Sequence, residues 1–162
     1  RAHGPTTAHV DDAATAIRCV RALADCRLSL VEQPTPPGDY AALAEVRRET
    51  GCKILADESC FDLAHARELL RHECCDAISV YPGKNGGIRK SRQIAQLAAT
   101  YGVACSIGSN LEWDVAAAAM AHFVVATPDA TLPTVRPLDV RVHAGQRAVD
   151  VASVERSIGS LQ

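Results

Sequence analysis

Along this chain, apolar positions switch repeatedly between the helical period and short unbroken runs. Residues 11–25, DDAATAIRCVRALAD, set Ala14, Ile17, Val20 and Ala24 against Arg18 and Arg21 on different faces, with two acids at the start, which predicts an amphipathic helix. LSLVE then predicts a strand over 28–32, PTPPGD a loop, and YAALAEVRRETG a helix stopped by Gly51. A strand follows over 53–57, a helix in FDLAHARELLRHE, a strand in DAISVY and a helix in GGIRKSRQIAQLAATYG that ends at Gly102. VACSI gives a fourth strand and EWDVAAAAMAHFVVA a further helix. Strand and helix thus alternate four times behind one leading helix.

Equal spacing makes this a repeat. Glu32 to Asp57 is 25 residues, Asp57 to Tyr81 is 24 and Tyr81 to Ser106 is 25, each marking the end of an apolar strand. Strands joined through helices run parallel, so all four tips lie on one side. In a (β/α)₈ barrel that side carries the catalytic groups, and a full barrel takes about 250 residues. The expected fold is α/β: a partial TIM-type barrel of about four to five βα units over residues 1–128. Residues 129–162 are expected as a C-terminal tail, with VRVHAGQRAVDV forming a hairpin through Ala144-Gly145 and ASVERSIGSL a closing helix. A doubly wound sheet is disfavoured because Gly83, Gly86 and Gly87 follow the third strand and spell neither G-x-G-x-x-G nor a P-loop.

Composition removes several function classes. A net charge of −2 without a basic run lacks the footprint of nucleic-acid binding. No apolar run approaches eighteen residues and the first residues lack a signal-peptide pattern, so a soluble, cytoplasmic protein with a small-molecule partner is expected. The seven cysteines are an odd number without a C-x-x-C pair, which fits reduced thiols. His72-Glu73-Cys74-Cys75 bunches metal-binding side chains, but adjacent cysteines that begin a strand point to opposite faces, and no second ligand pair sits at zinc-finger spacing. Packing is the expected role there.

The chemistry concentrates in the acids that end apolar strands. Glu32 and Asp57 at neighbouring tips would repel each other across a barrel mouth unless a cation sat between them. A hard divalent ion such as Mg²⁺ suits that need, because it accepts a few carboxylate oxygens and leaves positions for a substrate's oxygens. The competing reading makes each acid a surface residue or a helix cap.

VEQP, the Asp of LADES 25 residues later, DAISVYPGKNGGIRKSRQIAQLAATYGV and IGSNLEWDVAAAAMAH occur in order over residues 11–128. Together they resemble the barrel domain of the mandelate racemase and muconate lactonizing enzyme group of the enolase superfamily. The resemblance implies a modified (β/α)₇β barrel, a capping domain from segments outside this sequence, and Mg²⁺-assisted removal of a proton alpha to a carboxylate. The metal would stabilise the enediolate while a lysine or histidine serves as base. Glu32 matches the second metal ligand and Asp57 the third, while Glu58 is expected to point away from them. The first ligand, an Asp in an Asp-x-Asn string about 26 residues before Glu32, maps to Thr6, with Ala8 at the Asn position. Neither is a carboxylate.

The lysine that the family places 24 residues after the third ligand is Tyr81 here, and a phenol with a pKa of about 10 is a poor base at neutral pH. Lys84 matches a lysine of the GKNGG loop, to be read either as a catalytic group or as a cation that positions the loop. Glu112 matches a pocket glutamate that orients substrate, or else is an acid in the first turn of its helix. His122 falls on an Ala-rich helical face where packing is expected. Two function classes follow: the barrel portion of a racemase, cycloisomerase or acid-sugar dehydratase acting on a small carboxylate, or a catalytically incomplete remnant with a structural role. Exposed edge strands at 28 and 103 further suggest a homo-oligomer or cover from a missing N-terminal capping domain.

Overall fold

The computed structural model describes residues 10, 12–26, 28, 30–108, 110 and 114–127. The expected tail hairpin and closing helix, the positions Thr6 and Ala8, and Glu112 lie outside the described residues.

Helix α1 (Ala13–Ala22) leads, closed by a 3₁₀ turn at Ala24–Cys26. Then come β1 (Val31–Glu32), α2 (Tyr40–Thr50), β2 (Ile54–Ala56), α3 (Leu63–Arg71), β3 (Ala77–Val80), α4 (Ile88–Thr100), β4 (Ala104–Ile107) and α5 (Asp114–Val125). An aspartate caps each of the first three helices: Asp12 accepts from Thr15 N–H at 2.7 Å, Asp39 from Ala42 N–H at 2.9 Å and Asp62 from His65 N–H at 2.9 Å. Each satisfies an N–H that the first helical turn leaves unpaired, typically for about 1 kcal/mol. At the other end of α2, Gly51 sits at φ 67°, the left-handed conformation in which a glycine stops a helix.

The four strands form one parallel sheet in the order β1-β2-β3-β4, with register Val31↔Ile54, Leu55↔Ala77 and Ile78↔Cys105. Sequential order without a switch point is barrel topology; a doubly wound sheet reverses its order midway. β1 is shorter than the apolar run over 28–32 suggests. Continuing its register back from Val31 would pair Leu28 with Gly51, which the helix C-cap already holds in a left-handed turn.

Both central strands are buried throughout, as a sheet covered on two faces requires. The core between sheet and helices contains the fully buried Leu43, Val46, Ile54, Leu69, Ile78 and Ile94. Each such side chain contributes roughly 1.5–3 kcal/mol by leaving water. The foot of the sheet is tied by Asp76, whose carboxylate accepts a two-pronged pair from Arg47 at 3.0 and 2.8 Å and a third bond from Ile54 N–H at 2.9 Å. Helix α2 and strands β2 and β3 are thereby pinned at one end. The described helices include none long and apolar enough to cross a membrane.

Two side-chain expectations need correction. Cys74 and Cys75 precede β3 rather than opening it, so strand alternation does not separate them, and both are buried. His122 is exposed, not packed. Of the cysteines, Cys60, Cys74, Cys75 and Cys105 are buried, whereas Cys19 and Cys26 are exposed.

Candidate active site

The ends of β1, β2, β3 and β4 bring Glu32, Asp57, Tyr81 and Gly108 to one rim. Glu32 is the last residue of β1, Asp57 the first beyond β2 and Tyr81 the first beyond β3. Glu32 and Asp57 therefore stand at the ends of neighbouring parallel strands, near enough for the charge of Asp57 to act on Glu32. Burial raises the pKa of Glu32 from its ordinary value, and the charge of Asp57, the hydrogen bond to it and the charge of Glu58 raise it further, with Lys84 opposing. The charge of Glu58 thus reaches Glu32 through space. Strand alternation had stopped at Ala56, so it no longer governs where residue 58 points.

Lys84 answers those acids. Its ammonium donates to Asp57 Oδ1 at 2.5 Å, to the Asp57 carbonyl at 3.0 Å and to the Ser79 carbonyl at 2.7 Å. The lysine side chain is 4% exposed and that of Asp57 19%, so this is an ion pair largely out of water. Three acceptors use all three N–H bonds of an ammonium. Such an arrangement holds Asp57 and the β3 loop in place. The same nitrogen lies 4.8 Å from the centre of the Tyr81 ring.

Tyr81 is buried against Ala117, Met120 and Ile107, and its hydroxyl donates to Asn110 Oδ1 at 3.1 Å. Gly108 makes room for it: a Cβ there would fall deep inside contact distance of the Tyr81 ring and Ser79 Oγ. The phenol is thus seated by the end of β4 and tethered at its tip.

Two amides that sequence reasoning left without a role stitch the rim together. Gln33, buried and at φ 36°, accepts from Asp57 N–H at 3.0 Å and Ser59 N–H at 3.2 Å. Its Nε2 donates to Ser59 Oγ at 2.8 Å and the Thr35 carbonyl at 2.9 Å, so the loop after β1 fixes the loop after β2. Asn85 does the same one unit along, accepting from Tyr81 N–H at 2.9 Å and donating to the carbonyls of Cys60 and Phe61 at 3.0 and 3.2 Å. Gln33 follows the β1 acid directly and Asn85 follows Lys84, a position beside charged tips that was the one available sequence signal.

The donor set fits a hard cation. Two carboxylates meet, one of them made reluctant to ionise by its acidic neighbours, and the nearby lysine is spent on Asp57. The described residues hold no group of three or more His, Cys, Asp or Glu placed to bind a metal. Two clefts of about 420 and 270 Å³ lie elsewhere, at the foot of the sheet around Arg47 and Asp76, and touch none of these groups.

Residues 6–157 match the family model for the enolase C-terminal domain-like fold. The chain belongs to the mandelate racemase and muconate lactonizing group of the enolase superfamily. It is 37% identical over 117 residues to the hydrophobic dipeptide epimerase of Enterococcus faecalis, covering 72% of this chain and 33% of that enzyme. It is 35% identical to muconate cycloisomerase 1 of Rhodococcus opacus, with 72% and 31% covered. The structure of the dipeptide epimerase from Enterococcus faecalis superimposes with a TM-score of 0.71 at 34% identity, over 76% of this chain and 38% of that one. A second structure of that epimerase is complexed with Mg and the dipeptide L-Leu-L-Tyr. The chain spans about a third of the length of these curated enolase-superfamily relatives.

Proposed function

We propose that this chain is the barrel portion of an enolase-superfamily enzyme that assists removal of a proton alpha to a carboxylate with Mg²⁺, in a racemase, cycloisomerase or acid-sugar dehydratase reaction on a small carboxylate. The observation that carries this reading is the placement of Glu32 and Asp57 at the ends of adjacent parallel strands. Glu32 and Asp57 would hold the ion, which when bound supplies electrostatic stabilisation of the negative charge that develops on the substrate carboxylate. Lys84 and Gln33 fix Asp57 from two sides, so the carboxylate is aimed before any ligand arrives. Tyr81, its hydroxyl tethered to Asn110, orients substrate, and Glu112 shares that task by its match to the family's pocket glutamate. The base and the first metal ligand come from elsewhere, since Tyr81 stands where the family's lysine is expected and Thr6 where its aspartate is.

Calorimetric and thermal titration with Mg²⁺ tests the proposal. Binding that raises the melting temperature, and is lost in Asp57→Asn, supports the enzyme reading through ligand linkage. A melting temperature indifferent to Mg²⁺ instead supports the alternative, a catalytically incomplete remnant with a structural or oligomerising role, favoured by the residues at positions 6 and 81.

A further inference from the structure

One oxygen of Asp57 is already taken. The ammonium of Lys84 donates to Asp57 Oδ1 at 2.5 Å, with the lysine side chain 4% exposed and that of Asp57 19%. A cation that gripped this carboxylate through both oxygens would have to share Oδ1 with the ammonium. Ion–oxygen distances are about 2.0–2.6 Å, so the two positive centres would then stand at most about 5 Å apart. Repulsion at that range is strong where water is largely excluded.

Neither partner can step aside cheaply. The other two N–H bonds of the ammonium go to the Asp57 carbonyl at 3.0 Å and to the Ser79 carbonyl, within β3, at 2.7 Å. Moving the ammonium would leave a charge with no acceptor in a site withdrawn from water. Turning the carboxylate only exchanges the oxygen that the ammonium holds. The Asp57 backbone is itself tied, because its N–H donates to Gln33 Oε1 at 3.0 Å.

Divalent ions differ in what they ask of a carboxylate. Ca²⁺ gathers about six to eight oxygens and commonly takes a carboxylate through both of its atoms, whereas Mg²⁺ holds a tight octahedron at about 2.0–2.1 Å, keeps several waters and is served by one or two carboxylates. We propose that Lys84 sets the metal preference of the rim: by occupying one oxygen of Asp57 it limits that residue to a single-oxygen contact and so favours Mg²⁺ over Ca²⁺. The inference rests on the reading of Glu32 and Asp57 as ligands. Lys84 is then a positioning residue, which selects among ions through Asp57 without touching them.

The test is calorimetric titration of the full chain with MgCl₂ and, separately, with CaCl₂, in the parent, Lys84→Met and Gln33→Leu. The parent should bind Mg²⁺ at least about tenfold more tightly than Ca²⁺. Lys84→Met should move the ratio of the two dissociation constants toward Ca²⁺ by about tenfold, the lower end of what losing a residue that orients a metal ligand does to affinity. Comparing ratios cancels the gain that both ions draw from the loss of a positive charge. Gln33→Leu also loosens Asp57 but leaves the ammonium on Oδ1, so its ratio should match the parent's. A ratio unchanged in Lys84→Met, or lost equally in Gln33→Leu, overturns the proposal and leaves the Mg²⁺ reading standing. A parent that binds neither ion overturns that reading and the proposal with it. Should Lys84→Met fail to fold, the parent still decides, because Ca²⁺ binding as tight as that of Mg²⁺ overturns the proposal.

Discussion

Lys84 Nζ lies 2.5 Å from Asp57 Oδ1, and both groups are withdrawn from water. Removing one partner of a buried pair leaves the other charge uncompensated, which typically costs about 3–5 kcal/mol. Lys84→Met should therefore destabilise the chain by about that much in urea unfolding. A loss below about 1 kcal/mol, as an exposed pair would give, contradicts the buried arrangement.

Gln33 offers a separate route to the same carboxylate. Gln33→Leu keeps the bulk but strips partners from the N–H groups of Asp57 and Ser59, each expected to cost about 1–3 kcal/mol when left unsatisfied. The loop bearing Asp57 should also loosen, visible as faster hydrogen exchange at residues 57–60 than at Ile78 in β3. Unchanged exchange there would mean that Gln33 does not hold the loop.

The central architecture was legible because its causes are local. Asp12, Asp39 and Asp62 announce helix starts, Gly51 a helix stop, and the 25-residue spacing between Glu32 and Asp57 counts out one βα unit. The placement of Glu32 and Asp57 at neighbouring strand ends was legible for the same reason, since parallel register carries equivalent strand ends to one rim. What could not be read was where side chains turn once a strand has ended. Glu58 sits one residue past Asp57, and Cys74 and Cys75 lie before β3, all in loops where alternation says nothing. The roles of Gln33 and Asn85 depend on contacts 24 and 25 residues away, and no local pattern records them.

Gly108 sets the seat of Tyr81. In Gly108→Ala the added methyl would press on the Tyr81 ring and Ser79, an overpacking that typically costs about 1–3 kcal/mol. The ring must shift, so its bond to Asn110 should break and the ultraviolet absorbance of the tyrosine should change. The same substitution made in a Tyr81→Ala background should cost less, because part of the obstruction is gone. Equal costs in both backgrounds would show that the ring is not what glycine accommodates.

Asp76 predicts a pH dependence. Burial alone would raise its pKa, but the Arg47 hydrogen bonds, the Ile54 N–H and the charge of Arg47 outweigh that and leave it below the ordinary 3.8. Between the two values the unfolded chain binds more protons than the folded one, so stability falls as pH drops. The contribution is complete above about the ordinary carboxylate value and is lost as pH falls through the lowered folded value. Acid unfolding of Asp76→Asn, compared with the parent from pH 5 downward, should show a shallower decline. A parallel decline would remove Asp76 as its source.

Glu32 makes the opposite kind of prediction. Its carboxylate meets Asp57, is burdened by Glu58 and has only an already committed Lys84 to offset them, so without a cation it opposes folding at neutral pH. Glu32→Gln keeps the shape and removes one negative charge from the cluster. The variant should melt higher than the parent in chelator, yet gain less from saturating Mg²⁺, so the two melting curves should converge or cross as Mg²⁺ is added. A purely structural carboxylate would lose stability under both conditions. The crossing therefore separates an acid retained for a ligand from one retained for the fold.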